Sequence, residues 1–417
     1  MSRNLKDRLR RIRNTGSPSC EGTPAPKAGP SKAELSRFDR SAWPRWSPAG
    51  FKTITRELVQ ELPVPPSAAF PKALAILVPD LARMQRIPSQ GELLFFDLET
   101  TGLSGGAGTV AFLAAFGRFD GNRLTITQYL LLDYPGEPDF IERAVKEFAP
   151  QAEGAVPLVV SYNGKSFDSQ ILNNRCLMNG ISPPNYFHAD LLHPSRRLWK
   201  RVLPDCSQST VEVSVLGLDR TGDVSGALAP DIWFSFLKTG ENRELLAVCD
   251  HNIRDIFGLA SLFLALGEIA ADPIEGGKKF RVDDEALALS WRGTVKRYPS
   301  FFCAGEREKG DSLLKTAADA GYPRAAFALA LDLFKGGRSV EGRELMRKIA
   351  EDLSPSAGLR AAALKSLAMD AEWRLKNPPL ALAYTDSALA VPEIPMSLRN
   401  ELERRRVRLE GKDGNSG

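Results

Sequence analysis

The chain has 417 residues, of which 43% are apolar and 25% charged, and its mean hydropathy is −0.21. This composition is typical of a folded, water-soluble protein, and the length indicates two or three domains. The longest apolar runs are much shorter than the ~20 residues of a membrane-spanning helix, and the N-terminus lacks an apolar signal core, so we expect a cytoplasmic protein without a membrane segment. Five scattered cysteines without a C-x-x-C pair argue against a disulfide framework and a zinc ribbon.

Positive charge is concentrated at the start of the chain. Residues 1–13 contain six basic residues and one acidic residue, whereas the whole chain has a net charge of only +4. A basic arm on a nearly neutral body indicates a polyanionic partner, with a merely solubilising tail as the alternative. The following residues are rich in Gly, Pro and Ser without apolar periodicity, so we predict that residues 1–48 form a disordered arm and linker.

The middle of the chain predicts an α/β domain at residues 49–272. Its lead-in contains amphipathic fragments, and residues 93–99 (LLFFDLE) form a buried strand that ends in carboxylates. Two β-rich runs joined at Asp120-Gly121-Asn122 predict a hairpin. Three strands followed by alternating helices and strands is the order of a ribonuclease-H-like fold. The helices are predicted at about 71–85, 137–149, 167–179 and 242–268, with a strand at 157–162.

The final third predicts an all-α domain at residues 283–410. It is rich in Ala and Leu, and Gly- or Pro-containing breaks divide it into about six helices of 12–19 residues. Small residues within the helices indicate close packing in tetratricopeptide-like or Sel1-like pairs. Because the repeat period is irregular, a nonrepeating helical bundle is the alternative.

Three segments carry acidic residues in a pattern that suits metal binding. Asp97 and Glu99 stand two apart on a strand, so both carboxylates lie on one face. Asp168 enters a helix after the turn at 163–166, and His251 and Asp255 share a helix face at i and i+4. Taken singly, each has an ordinary explanation: a common D-x-E pair, an acid favoured at a helix N-terminus, and a structural His–Asp pair.

Together, the three segments resemble the motifs of DEDD 3′–5′ exonucleases, and the second resembles that of the proofreading domain in family B DNA polymerases. The chain is most similar to the YprB-like ribonuclease-H-like family over roughly residues 50–270. The segments that carry this resemblance are DLETTGLSGGAGTVAFLAAFGRFDG, DLLHPSRRLWKRVLPDCS, VLGLDR and HNIRDIFGLASLF.

The resemblance implies a catalytic site built on carboxylates. Asp97, Glu99, Asp168 and Asp255 are expected to bind two Mg²⁺ or Mn²⁺ ions, which prefer oxygen ligands. His251 is expected to orient or deprotonate the attacking water. The chain departs from the family pattern here, because His251 lies four residues before Asp255, where one subgroup has tyrosine, instead of five.

The expected substrate is single-stranded nucleic acid. The Gly-rich segment after the first acids is predicted to approach a phosphate with its backbone, with a flexible turn as the alternative, and basic residues are predicted to contact phosphates. The candidate nucleic-acid-binding residues are Thr100, Thr101, Gly102, Leu103, Asn163, Lys165, Arg196 and Arg197. The C-terminal helices are expected to contact a protein partner or the nucleic acid strand.

These observations predict a metal-dependent 3′–5′ exonuclease that hydrolyses phosphodiester bonds. Two alternatives remain: a catalytically silent scaffold that binds nucleic acid, and a structure-specific endonuclease that uses the same site. A circular single-stranded substrate distinguishes the endonuclease from the exonuclease, because it has no end.

Overall fold

The computed structural model describes residues 39, 41–62, 66, 70–102, 108–149 and 156–413. Within them, a seven-stranded sheet is followed by a region made entirely of helices. This arrangement confirms the predicted fold class.

The sheet is mixed, with the strand order β1-β2-β5-β4-β3-β6-β7. In this spatial order, each neighbouring pair from β1 as far as β3 is antiparallel, whereas β3, β6 and β7 run parallel to one another. Asp120 pairs with Arg123, which confirms the predicted hairpin at Gly121-Asn122, and Gly121 takes the positive φ of 58° that this turn requires. The strands are β1 (Ser47–Gly50), β2 (Thr53–Glu61), β3 (Leu93–Thr100), β4 (Ala111–Asp120), β5 (Arg123–Leu131), β6 (Leu158–Ser161) and β7 (Phe187–Asp190).

In the described ranges, nine α-helices accompany the sheet, and a tenth follows them before the C-terminal region. The prediction of a helix at 71–85 is only partly correct, because Pro79 begins a second helix there and divides the segment. The helices are α1 (Leu74–Leu77), α2 (Pro79–Met84), α3 (Glu137–Lys146), α4 (Asp168–Met178), α5 (Leu192–Trp199), α6 (Gln208–Val211), α7 (Ala229–Thr239), α8 (Arg243–Ala271), α9 (Pro273–Lys279) and α10 (Asp284–Arg297).

Alternation along β3 determines which way the acids face. Leu93 and Phe95 belong to the core cluster that packs the sheet against the long helix α8, whereas Leu94, Phe96 and Leu98 belong to the cluster on the opposite face. Because side chains alternate along a strand, Asp97 and Glu99 continue the row that faces α8.

The structure differs from the predicted linker at residues 41–48. Trp43 and Trp46 are buried in the second core cluster, with Leu94 and Phe96 of β3 and Leu245 near the start of α8, and β1 pairs with β2 at the edge of the sheet. Burial of two tryptophan side chains outweighs the local Pro and Ser content that predicted disorder. The basic residues 1–13 lie outside the described residues.

Six further helices of 13–18 residues form the C-terminal region, and each packs on the next. Their number and breaks agree with the prediction, whereas the tetratricopeptide or Sel1 classification stays a prediction. They are α11 (Ala304–Asp319), α12 (Pro323–Lys335), α13 (Ser339–Glu351), α14 (Ala357–Trp373), α15 (Pro378–Ala390) and α16 (Met396–Asp413). Among the described residues, no helix combines the length and the apolar character that a membrane crossing requires.

Helix α10 belongs to both regions. Leu287, Trp291 and Val295 lie in the core cluster between the sheet and α8, whereas Ala288 packs with the C-terminal helices. Thr294 also donates a hydrogen bond of 3.1 Å to the backbone carbonyl of Ile76. The two regions therefore share a packed helix.

Candidate metal centre

Four carboxylates from three separate elements meet at one edge of the sheet. Asp97 and Glu99 stand near the end of β3, Asp168 begins α4 after β6, and Asp255 lies on α8. The carboxyl ends of the parallel strands β3 and β6 lie at the same edge, so residues far apart in sequence converge there. We call Asp97, Glu99, Asp168 and Asp255 the acidic cluster.

The acidic cluster is poorly solvated and carries an excess of negative charge. Burial raises the pKa of Asp97 well above its usual value, and repulsion from Asp168, Asp255 and Glu99 adds to the rise. The pKa of Glu99 is raised well above its usual value by burial and then by Asp255 and Asp168. Burial raises the pKa of Asp168 to about 7, partly offset by backbone N–H groups. Four ionised carboxylates in such a site are unfavourable on their own, and a bound cation stabilises them.

The donor atoms have the spacing and chemistry of a metal centre. Ligand atoms from Glu99, His251 and Asp255 all lie within 4.8 Å of one another. Oxygen donors predominate, and Mg²⁺ and Mn²⁺ prefer such ligands. The residues present therefore fit a divalent cation.

His251 lies between two carboxylates. Its Nδ1 is 2.9 Å from Oδ2 of Asp223, and its Nε2 is 3.2 Å from Oδ2 of Asp255. Asp223 also accepts a hydrogen bond of 2.7 Å from Arg254, so its position is fixed from two sides. A proton on Nδ1, donated to Asp223, leaves Nε2 as the basic nitrogen toward the acidic cluster. The i, i+4 spacing of His251 and Asp255 predicted their proximity but gave no indication of Asp223.

A buried arginine network lies behind Asp255. Arg220 donates hydrogen bonds to Asp255, to Asp223 at 2.6 Å and to Glu212 at 2.7 Å. Glu212 is fully buried, and burial raises its pKa to about 7 even though Arg220 lowers it. Gly258 of α8 makes room for it, since a Cβ there would lie 1.7 Å from a Glu212 oxygen. The guanidinium of Arg220 therefore neutralises part of the charge of the acidic cluster.

A chain of buried polar side chains that begins at Asn252 of α8 reaches Asp97. Asn252 donates a hydrogen bond of 2.6 Å to Oδ2 of Asp97 and accepts one of 2.7 Å from Gln128. Gln128 in turn accepts a hydrogen bond of 2.7 Å from Arg56. All three supporting side chains are buried, so they fix one carboxylate oxygen of Asp97. Asn252 adjoins His251 in the sequence, but no local pattern singled it out.

The turn before Asp168 is fixed by backbone contacts. Asp190 accepts hydrogen bonds from the backbone N–H groups of Asn163 at 2.8 Å and Lys165 at 3.2 Å. Asn163 adopts a positive φ of 66°, and a Cβ at Gly164 would lie 2.4 Å from the Ser161 hydroxyl. Asp190, the last residue of β7, thus holds this turn beside Asp168.

The candidate nucleic-acid-binding residues fall into three groups. Thr100, Thr101 and Gly102 follow the acids of β3, and both threonine hydroxyls hold the local backbone; Leu103 lies outside the described residues. Asn163 and Lys165 lie in the turn before Asp168, and the Lys165 ammonium is 2.7 Å from Asp80. Arg196 and Arg197 are on the exposed side of α5, apart from the acidic cluster, and line a separate cavity.

Comparison with known proteins identifies the fold of this region. Residues 94–266, which contain the whole acidic cluster, match the family model of the RNase_H superfamily. The chain contains an RNase H-like domain. Over 183 residues it is 37% identical to the uncharacterised protein YprB of Bacillus subtilis (strain 168), a match that covers 43% of each chain. The match therefore spans less than half of either protein.

A solved structure also resembles part of the chain. It is the family B DNA polymerase from the hyperthermophilic archaeon Pyrobaculum calidifontis, with a TM-score of 0.32 and 15% sequence identity. The similarity covers 51% of this chain and 30% of the polymerase. At that TM-score it carries no argument about function.

Proposed function

We propose that this protein is a divalent-metal-dependent nuclease that removes nucleotides from the 3′ end of single-stranded DNA or RNA. The observation that supports this proposal is the meeting of four buried or half-buried carboxylates at one edge of an RNase H-like sheet. Their pKa values are raised by burial and mutual repulsion, which disfavours the cluster without a cation. The 3′ polarity rests on the resemblance of the motif order to DEDD exonucleases.

In this proposal the acidic cluster holds two Mg²⁺ or Mn²⁺ ions. When bound, such ions polarise a water molecule and stabilise the leaving oxygen of a phosphodiester. Asp97 presents its second carboxylate oxygen to the site, because Asn252 occupies the first. His251 accepts a proton from water through Nε2, and Asp223 stabilises the resulting positive charge on the ring.

One contact favours the catalytically silent alternative. Arg220 binds Asp255 directly, so it competes with a metal ion for the same carboxylate. Arg220 does not pair with the other three acids, and among the described residues no basic side chain pairs with Asp97, Glu99 or Asp168. Arg220 therefore offsets one of the four acids, and we favour the enzyme.

The proposal is tested by a gel assay of the full chain on 5′-labelled single-stranded DNA and RNA of one sequence. Reactions contain Mn²⁺, Mg²⁺ or EDTA, and a circular single strand is the control for endonuclease activity. We expect a metal-dependent ladder that shortens from the 3′ end, with the circle intact. Cleavage of the circle would support the endonuclease, and binding without cleavage in either metal would support the scaffold.

Replacing Asn252 tests whether the amide chain positions Asp97. Asn252→Ala removes the donor to Asp97, and we expect affinity for Mn²⁺ to fall about 10- to 100-fold, as for other groups that orient metal ligands. Calorimetric titration of the full chain with Mn²⁺ measures it. Gln128→Leu removes the support of Asn252 but leaves its hydrogen bond to Asp97, so its loss is expected to be smaller. An unchanged Mn²⁺ affinity in Asn252→Ala would show that Asp97 needs no such support.

A further inference from the structure

A cavity with a volume of about 420 Å³ lies apart from the acidic cluster, between the RNase H-like domain and the C-terminal helices. One wall is α5 and the residue after its C-cap, and the other is formed by α10 and the start of α12. We call it the basic cavity, and its polar and charged lining comprises Arg196, Arg197, Lys200, Arg201, Ser290, Thr294 and Arg324.

Most of the positive charge in the basic cavity is not balanced locally. Arg201 is paired with Asp283, with an N–O distance of 2.7 Å, and with the buried Glu285. Glu285 also accepts hydrogen bonds from the backbone N–H groups at the start of α12, at 2.7 and 3.1 Å. Both acids are thus fully engaged.

Three of the four other cations of the basic cavity face solvent without a charged partner in the described part of the chain, whereas the fourth, Arg197, is attracted by Asp80. Arg196, Lys200 and Arg324 are exposed, and among the described residues their side chains have no ion pair. Three free cations around one concave surface attract an anion with several oxygens, such as a phosphate.

The basic cavity is connected to the acidic cluster through α5. Asp190, which holds the turn before Asp168, stands two residues before α5 begins. From its first residue, Leu192, to its C-cap, Lys200, α5 rises about 12 Å. Asp80 lies between the two sites, because it pairs with Lys165 and attracts Arg197. A strand of a few nucleotides therefore spans the distance.

The chemistry of the lining favours a sugar–phosphate backbone over a base. Its charged side chains are arginines and a lysine, and within the part of the chain that the structure describes no aromatic, Asn or Gln side chain lines it to stack on a base or read its edge. The Thr294 hydroxyl is already donated to Ile76. The lining therefore suits binding of a phosphate irrespective of the base sequence of the strand.

We propose that the basic cavity binds a backbone phosphate of the nucleic acid strand whose 3′ end lies in the acidic cluster, a few nucleotides from the bond that is cut. Arg324 comes from α12, so the C-terminal helices form part of the nucleic-acid site. This inference rests on the proposed function and adds to it a minimum strand length, below which the second contact is lost.

The test compares Arg324→Glu with Arg404→Glu, which makes the same change of net charge on the exposed side of α16. Binding of fluorescein-labelled oligothymidylate of 20 nucleotides is measured by anisotropy at several salt concentrations. The full chain carries Asp168→Asn, which keeps the strand intact. We expect Arg324→Glu to weaken binding about tenfold and to lower the slope of log affinity against log salt by about one.

A second readout separates this inference from the proposed function. Thymidine 5′-monophosphate p-nitrophenyl ester is too short to reach the basic cavity, so the full chain with Asp168 intact should hydrolyse it at the same rate with or without Arg324→Glu. One outcome separates the two proposals. If the ester is not hydrolysed with or without Arg324→Glu, but Arg324→Glu and not Arg404→Glu weakens binding of the 20-mer, the proposed nuclease function is wrong and the proposed phosphate contact in the basic cavity is supported.

Other results would overturn the inference. Equal weakening by Arg324→Glu and Arg404→Glu would mean that overall charge alone is responsible. Unchanged binding of the 20-mer by Arg324→Glu and by the milder Arg324→Gln, with ester hydrolysis intact, would leave the nuclease without a second contact. Saturable binding of inorganic phosphate that requires Arg324, with unaltered binding of the 20-mer, would identify a site for free anions instead.

Discussion

Asp97→Asn and Asp168→Asn are each expected to lower metal-dependent cleavage of single-stranded nucleic acid by at least about 10³-fold, because each removes a negative charge that holds a catalytic cation. Asn has nearly the shape of Asp, so the substitutions leave packing in place. Both positions are poorly exposed, and neither acid has a basic partner among the described residues. The measurement is the rate of shortening of a 5′-labelled strand in Mn²⁺ and in Mg²⁺.

Asp311→Asn is the matched control for this loss, because Asp311 is an exposed acid on α11. It should cleave at the wild-type rate. Near wild-type cleavage by Asp97→Asn or Asp168→Asn would contradict the metal-site assignment. A loss in Asp311→Asn of the same size would indicate that the assay reports something other than the acidic cluster.

The metal-free protein is expected to lose unfolding free energy as the pH rises from about 4 to about 7. Asp168 has a pKa of about 7 in the folded chain and an ordinary low value when unfolded, so the folded chain retains a proton that the unfolded chain has released. Raising the pH through this window removes that advantage, by an amount on the order of a few kcal/mol. Asp97 and Glu99 act in the same direction. Mn²⁺ should restore the stability by binding the ionised carboxylates.

Asp168→Asn isolates this effect from opposing groups. Partial burial lowers the pKa of the half-buried His188 to about 4, so its own contribution to stability rises with pH between about 4 and 6.5. That contribution is common to both proteins and cancels in the difference between variant and wild type. We expect urea unfolding in EDTA to give similar stabilities at pH 4 and a more stable variant at pH 8. If variant and wild type were equally stable at both pH values, ionisation of Asp168 would not destabilise the folded protein.

Much of the fold follows from local patterns in the sequence. The apolar run before Asp97, the Asp120-Gly121-Asn122 turn and the breaks between the C-terminal helices each act within a few residues, so they were readable without tertiary information. The convergence of the acids followed from period-two alternation on β3 and from the order of strands and helices. Their roles in catalysis stay predictions.

Other features depend on contacts between distant segments. Arg220 and Asp223 lie in a loop far from β3 in sequence. The VLGLDR segment, which ends at Arg220, contributed to the family resemblance, but neither it nor the following TGD indicated a contact with the acidic cluster. Trp43 and Trp46 stand among Pro and Ser, and only packing on the sheet orders them. Gln128 did leave a signal, because it takes an inward position of β5 in line with Leu124 and Ile126, where a polar side chain needs a buried partner.

The sharing of helix α10 changes where this protein can be divided. Leu287, Trp291 and Val295 complete the core of the RNase H-like domain, together with Phe302 beyond the helix. A fragment that stops at residue 272, the predicted end of the α/β domain, would expose that apolar surface to water and aggregate. A fragment that runs to Phe302 keeps it covered. The shortest fragment that keeps this surface covered therefore includes a helix that lies beyond the sequence motifs of the RNase H-like domain.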